Sequence, residues 1–183
     1  VRIPFSAGGV TETALTRFVD RHPFVPSDDG EKNDRCDRIL EIQARGLARR
    51  MEAAYAKTLV LGLSGGLDSC LALLVAVRAC EIANRPMSDI HAVTMPCFGT
   101  TKRTKSNAET LAAALGTTFS DIDIKDAVDI HFRDIGQDPE THDVTYENCQ
   151  ARERTQILMD LANKEGGIVV GTGDLSELAL GFA

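Results

Sequence analysis

Val60-Leu61-Gly62-Leu63-Ser64-Gly65-Gly66-Leu67-Asp68-Ser69 runs directly into the apolar stretch Cys70 to Val77. An apolar run from Thr58 to Leu63, two adjacent glycines and a long apolar segment predict a strand, a glycine turn and a helix from about Ser69 to Ala83. Outward from this unit the pattern alternates. A strand is expected at His91 to Met95, stopped by Pro96, then a helix at Ser106 to Leu115, a strand at Thr118 to Ile122 and a helix near Lys125 to Arg133. A long helix near Val144 to Lys164 and a strand at Ile168 to Gly171 follow. Each crossover must carry a helix over the sheet before the next parallel strand can start, so the fold class is α/β, a doubly wound parallel sheet. In such sheets ligands bind beyond the carboxyl ends of the strands, at the loops after Leu63, Met95 and Gly171.

Upstream of this core the first 35 residues lack sustained periodicity. They carry Gly8-Gly9, Pro23, Pro26 and the run Ser27-Asp28-Asp29-Gly30, the composition of a linker. From Cys36 to about Ala56 the pattern becomes helical, with Ile39, Ile42, Gly46 and Met51 among polar residues. At 183 residues, 43% hydrophobic and 26% charged, the chain has the composition of one globular domain with an appendage. Its net charge of -7 argues against a general nucleic-acid binder. No apolar run approaches the length of a membrane-spanning helix, and the opening Val1-Arg2-Ile3-Pro4-Phe5 does not resemble a secretion signal. Cys36, Cys70, Cys80, Cys97 and Cys149 are odd in number and form no C-x-x-C pair, which suggests neither a disulfide framework nor a zinc site, and the four within or beside apolar stretches read as buried thiols in a reducing compartment. A cytoplasmic protein is expected.

The glycine loop has its own chemistry. Without Cβ atoms, Gly65 and Gly66 let backbone N–H groups turn toward an anion, and the helix start adds further N–H groups and the positive end of its dipole. Ser64 and Ser69 can donate to the oxygens of a pyrophosphate, whereas Asp68 tolerates a phosphate only across a cation, which implies Mg2+. Helix capping by Asp68 or Ser69 is the structural alternative. The G-x-x-x-x-G-K-[ST] and G-x-G-x-x-G loops are both excluded, the first for want of its Lys and the second by spacing.

Three more segments carry polar groups toward the same end of the sheet. On the long helix Asn148 and Arg152 share a face with Glu147 nearby, while Ala151, Thr155, Leu158 and Ala162 form another that can pack on the sheet. The polar face is either solvated, with Glu147 and Arg154 pairing, or a ligand surface. After the last strand, Gly171-Thr172-Gly173 forms a second close-approach loop, and Glu177 is either a helix N-terminal acid or a second carboxylate for the site. The loop from Met95 to Thr104 either ends a strand with Lys102 and Arg103 in water or brings those cations to phosphates.

The string S-G-G-x-D-S, in its strand-loop-helix context, resembles the pyrophosphate loop of the N-type ATP pyrophosphatases, with their adenine nucleotide alpha hydrolase-like fold. Within that superfamily, Met95-Pro96-Cys97-Phe98-Gly99-Thr100-Thr101-Lys102-Arg103-Thr104, Glu147-Asn148-Cys149-Gln150-Ala151-Arg152-Glu153-Arg154 and Gly171-Thr172-Gly173-Asp174-Leu175-Ser176-Glu177 look like the successive motifs of the NAD synthetase family. Arg21-His22-Pro23-Phe24-Val25-Pro26, Arg35-Cys36, Ile42-Gln43 and Gly46-Leu47 resemble the connection from glutaminase to synthetase in its glutamine-dependent members.

The resemblance implies ATP binding at Gly62, Leu63, Ser64, Gly65, Gly66, Leu67, Asp68, Ser69 and Thr172. It further implies deamido-NAD (nicotinic acid adenine dinucleotide) binding at Asn148, Arg152 and Glu177, and Mg2+ at Asp68 and Glu177. Asp174 stands where many members carry Asn. The Met95 loop would lie near the adenine as a mobile cover. No side-chain nucleophile is needed: the nicotinate carboxylate attacks the α-phosphate of ATP, and ammonia then displaces AMP. The expected organisation is a lead-in at 1–35 from a glutaminase domain outside this chain, and a synthetase domain at 36–183 truncated at its C-terminus, working as a homodimer. Another adenylating amidotransferase, forming GMP or asparagine, and a non-catalytic adenine-nucleotide-binding fragment are the alternatives.

Overall fold

The computed structural model describes residues 2–6, 8–9, 12, 14, 16–98 and 102–181, with the side chains of 102–105 outside the description. The chain divides into two compact units, Val1–Asp37 and Arg38–Ala183. Among its described residues the first unit has no strand, and Ile3, Phe5 and Phe18 are exposed. It ends in the first turns of helix α1, Asp29–Ala53. The helix therefore begins ahead of the expected Cys36. The reason is local: Asp28 Oδ1 accepts the N–H of Glu31 at 2.9 Å, and its carbonyl accepts that of Lys32 at 3.0 Å. The acidic run read as linker is a helix start, with Asp29 and Glu31 at the positive end of the dipole.

Among its described residues the second unit contains four strands, β1 (Leu59–Gly62), β2 (Ile90–Thr94), β3 (Thr118–Asp121) and β4 (Ile168–Val169). The helices are α2 (Leu67–Ile82), α3 (Lys102–Leu115), α4 (Lys125–Ile135), α5 (Val144–Glu165) and α6 (Leu175–Leu180). The strands form one parallel sheet in the order β3-β2-β1-β4, with Leu59 opposite both Ile90 and Ile168. The expected α/β doubly wound sheet is present. β4 is shorter than the expected Ile168 to Gly171, although Val170 still donates to the Val60 carbonyl at 2.8 Å.

Side chains alternate between the two faces, as a period of two requires. Leu59, Leu61, Ile90 and Ala92 pack with Ala44 and Met51 of α1, Leu73, Ala76, Ala79 and Cys80 of α2, and Ala108 and Ala112 of α3. On the other face Val60 and Val93 meet Val128 and Phe132 of α4 and Tyr146, Cys149 and Ala162 of α5. Leu59, Leu61, Leu73 and Ile90 are fully buried, and each such side chain contributes about 1.5–3 kcal/mol relative to exposure. β1 is covered on both faces and paired on both edges, which explains its unbroken apolar sequence. Two details of helix phase differ from expectation. The large apolar side chains exposed on α1 are Ile39 and Ile42, while Ala44, Leu47, Ala48 and Met51 face the core. On α5, Ala151 and Thr155 are exposed, and Tyr146, Cys149, Gln150 and Ala162 are buried.

Candidate functional site

After β1 the chain moves outward to β2 and β3, then returns across the sheet to lay β4 on the opposite edge of β1. The strand order reverses between β1 and β4, and the loops leaving these two strands adjoin at their carboxyl ends, the place where such sheets bind ligands. A cavity of about 470 Å³ lies there, lined by Gly62, Leu63, Ser64, Gly66, Ser69, Val93, Thr94, Met95, Arg154, Leu158 and Thr172. A larger cavity, about 710 Å³, sits between the C-terminal parts of α1 and α2, away from these loops. Arg85 in that second cavity is engaged by Asp89 and the carbonyls of Ala56 and Lys57, a brace between α2 and the chain entering β1.

The loop after β1 is built by its glycines and serines. Gly65 has φ of +82°, a conformation that costs other residues about 1–2 kcal/mol. Gly66 caps α2 without a side-chain bond, so neither Asp68 nor Ser69 serves as the expected cap. Both instead lie in the first helical turn. Ser64 Oγ accepts the N–H of Gly66 at 3.2 Å and lies 3.1 Å from Ser69 Oγ, while Ser69 Oγ donates to the Gly66 carbonyl at 3.0 Å. Ser69 is buried, whereas Ser64, Gly66, Leu67 and Asp68 are exposed. The result is a turn with two hydroxyls and a helix N-terminus facing one cavity, a suitable seat for an oxyanion.

Thr172 lines this cavity and also a neighbouring one of about 550 Å³, which includes Asp68, Gly171, Gly173 and Asp174. Asp68 accepts no hydrogen bond from a described residue. Glu177 lies outside the lining of both cavities, its Oε2 accepting the N–H of Asp174 at 3.1 Å while Asp174 Oδ1 accepts the N–H of Glu177 at 2.8 Å. This reciprocal capping box gives Asp174 a defined structural role. Among the described residues no three His, Cys, Asp or Glu gather to cage a metal. Mg2+ is commonly held by one or two carboxylates together with substrate phosphates; Asp68, exposed and without an ion pair among the described residues, has the chemistry of such a ligand, whereas Glu177 is engaged in the capping box.

On α5, Asn148 and Arg152 are exposed and lie outside the lining of both cavities. Two residues of this helix line the crevice, Leu158 and Arg154, the latter half-buried with its Nε donating to the Met95 carbonyl at 3.3 Å. Sequence reasoning treated Arg154 only as a surface charge partner. Its signal was its spacing four residues before Leu158, which lines the same cavity.

The loop after β2 begins inside the core. Met95 and Cys97 are buried, and the Phe98 ring lies 6.3 Å from Phe132 and 5.8 Å from Tyr146 between centroids. Burial pushes the Cys97 thiol above its ordinary value, opposed by the Phe98 backbone and Arg154. Gly99, Thr100 and Thr101 lie outside the described residues, as do the side chains of Lys102, Arg103 and Thr104, so the expected mobile cover falls there.

The NAD synthase family matches residues 39–183. The glutamine-dependent NAD(+) synthetase of Mycobacterium leprae is 48% identical over 178 residues, covering 95% of this chain and 26% of that relative. The chain thus spans about a quarter of that curated relative's length. Among solved structures, the glutamine-dependent NAD+ synthetase of Acinetobacter baumannii in complex with adenosine diphosphate has a TM-score of 0.70 and 33% identity, over 77% of this chain and 26% of that one. The NH3-dependent NAD synthetase of Campylobacter jejuni, solved with nitrate, matches with a TM-score of 0.70 and 28% identity, over 80% of this chain and 60% of that one. The matched residues contain the glycine loop, all four strands and Thr172, and the chain belongs to the NAD synthase family.

Proposed function

We propose that this chain carries the nucleotide site of an ATP-dependent ligase that amidates deamido-NAD to NAD through an adenylated intermediate, releasing AMP and pyrophosphate. The observation that carries this reading is the convergence of Ser64, Gly66, Ser69 and Thr172 on one cavity at the switch point of the sheet. The names of its relatives and the adenosine diphosphate bound by one of them support it.

ATP would lie with its phosphates on Gly62, Leu63, Ser64, Gly65, Gly66, Leu67, Asp68 and Ser69, and Thr172 would close the other wall. Asp68 and Glu177 would hold Mg2+, which when bound neutralises charge on the phosphates. Loop N–H groups and serine hydroxyls keep the departing pyrophosphate in place while the nicotinate carboxylate attacks the α-phosphate, and ammonia then displaces AMP. Asn148, Arg152 and Glu177 would bind deamido-NAD. Asn148 and Arg152 stand outside the cavity lining, so the dinucleotide would extend from the cleft along α5.

This outward face of α5, which also carries Thr155 and Met159, suits a two-fold contact between copies in a homodimer. Ammonia would come from solution or from glutamine through a glutaminase domain, led in by 1–35, with the synthetase domain at 36–183; no nucleic acid or membrane takes part, and the compartment would be the cytoplasm. No described helix is long and apolar enough to cross a membrane.

Pyrophosphate release from ATP, Mg2+ and ammonium tests the reading. Release that depends on deamido-NAD is expected, whereas release triggered by xanthylate or aspartate would replace the substrate. Arg152→Ala should weaken deamido-NAD binding and leave ATP binding unchanged; loss of both would make Arg152 structural. Light scattering checks the dimer, and a mass fixed near 19.8 kDa at every concentration would remove it for this chain.

A further inference from the structure

Arg154 is the one ionisable residue among those described as lining the cavity of the glycine loop. It is half-buried, and no carboxylate pairs with it among the described residues. Among the described residues its one hydrogen bond uses Nε, which donates to the Met95 carbonyl at 3.3 Å. That bond fixes one edge of the guanidinium to the end of β2 and leaves the two terminal nitrogens without a hydrogen-bond partner among the described residues. The same cavity is lined by Ser64, Gly66 and Ser69, whose hydroxyls and helix start favour negative charge. A partly buried cation without a counter-ion is costly, and a planar pair of N–H donors matches two oxygens of one phosphoryl group.

We infer that Arg154 is a binding residue for the phosphate chain, gripping a phosphoryl group through its two terminal nitrogens while Nε remains on Met95. The inference rests on the nucleotide reading above and adds a residue to it. It also separates the two arginines of α5. Arg152 is exposed outside the cavity, whereas Arg154, two residues on, belongs to the ATP phosphates. Met95 lies three residues before the Phe98 ring, so the same guanidinium ties phosphate occupancy to the packed start of the loop after β2.

Calorimetry with inorganic pyrophosphate and, separately, adenosine tests this in the wild-type chain, Arg154→Gln and Arg154→Lys, with thermal melting as the check on folding. Arg154→Gln is expected to weaken pyrophosphate binding about tenfold or more and leave adenosine within about twofold. Arg154→Lys, which keeps the charge but loses the planar pair, should recover only part of the loss. Pyrophosphate bound equally well by Arg154→Gln and wild type would overturn the inference and leave the nucleotide reading intact. Equal weakening of both probes would make Arg154 a brace for the Met95 loop and overturn it as well. Should Arg154→Gln fail to fold, Arg154→Lys decides alone: full wild-type affinity for pyrophosphate rejects the paired-donor grip. A wild-type chain that binds neither probe would bring down the nucleotide reading and this inference together.

Discussion

Thr58 and Gly167 meet where β4 is laid beside β1. A Cβ on Gly167 would fall 2.5 Å from the Thr58 carbonyl oxygen and 2.1 Å from its Oγ1, and the backbone there cannot retreat because Ile168 donates to that same carbonyl at 3.1 Å. Gly167→Ala should therefore cost about 2 kcal/mol or more, read as a lower urea midpoint with an unchanged slope. A midpoint within error of wild type would show that β4 can shift away. Asp68 belongs to the opposite class, exposed and without a hydrogen bond to a described residue. Asp68→Asn should leave the melting temperature unchanged and weaken Mg2+-dependent ATP binding about tenfold, the expected scale for losing a carboxylate ligand. Undiminished binding by calorimetry would remove the metal role. The neighbouring residues were legible in sequence because a glycine turn between strand and helix has few uses. Arg154 was missed although it stands four residues before the sheet-packing Leu158, because its charge was read as solvated surface.

At the scale of elements, α5 is the most informative helix. Its range follows from its caps: Asp143 accepts the N–H of Tyr146 at 2.9 Å, and Gly166, with φ of +66°, closes the other end. Asp143→Ala should lower stability by about 1 kcal/mol, measured by denaturant titration. No change would mean that another group caps the helix. The end of the helix is also tied to the sheet, since Glu165 Oε1 lies 2.7 Å from His91 Nδ1 while Ser120 Oγ lies 2.8 Å from His91 Nε2. The extent of α5 was readable in sequence, and its phase only in the C-terminal half, where Leu158 and Ala162 pack as expected. Ala151 and Thr155 look suited to packing, yet the sheet-facing turn is taken by Tyr146 and Cys149, which join Phe132 of α4. That choice depends on where α4 lies, which is long-range information. Helix α1 shows the same limit, with its apolar Ile39 and Ile42 left exposed.

Across the whole molecule, the cysteines set an alkaline boundary. Burial pushes the Cys80 thiol above its ordinary value, as it does for Cys97. A raised thiol pKa favours the folded protein while the unfolded thiol stays protonated, so this contribution is complete below about pH 8.5. It is lost as pH rises toward the higher folded value. Thermal melting at increasing pH should show that decline, and Cys80→Ala should flatten it; equal slopes in both proteins would assign the decline to other groups. The parallel, doubly wound class was legible because strands and helices alternate, whereas the position of β4 beside β1 was fixed only by the sheet itself.

That position also sets an order in time. β1 and β2, like β2 and β3, join partners about 30 residues apart, whereas β1 and β4 join partners more than 100 apart. Closing the longer loop costs more chain entropy, and its contacts are available only after the intervening helices have condensed. The β3-β2-β1 half should therefore form first and β4 dock last, carrying Thr172 to the glycine loop as the final event. Pulse-labelled hydrogen exchange during refolding should protect the Leu63 amide, bonded to Val93, before the Val170 amide, bonded to Val60. Simultaneous protection would rule out the sequence. If the order holds, a chain caught short of its last folding step already possesses the turn that cradles phosphate but has not yet gained the opposite wall of the cleft.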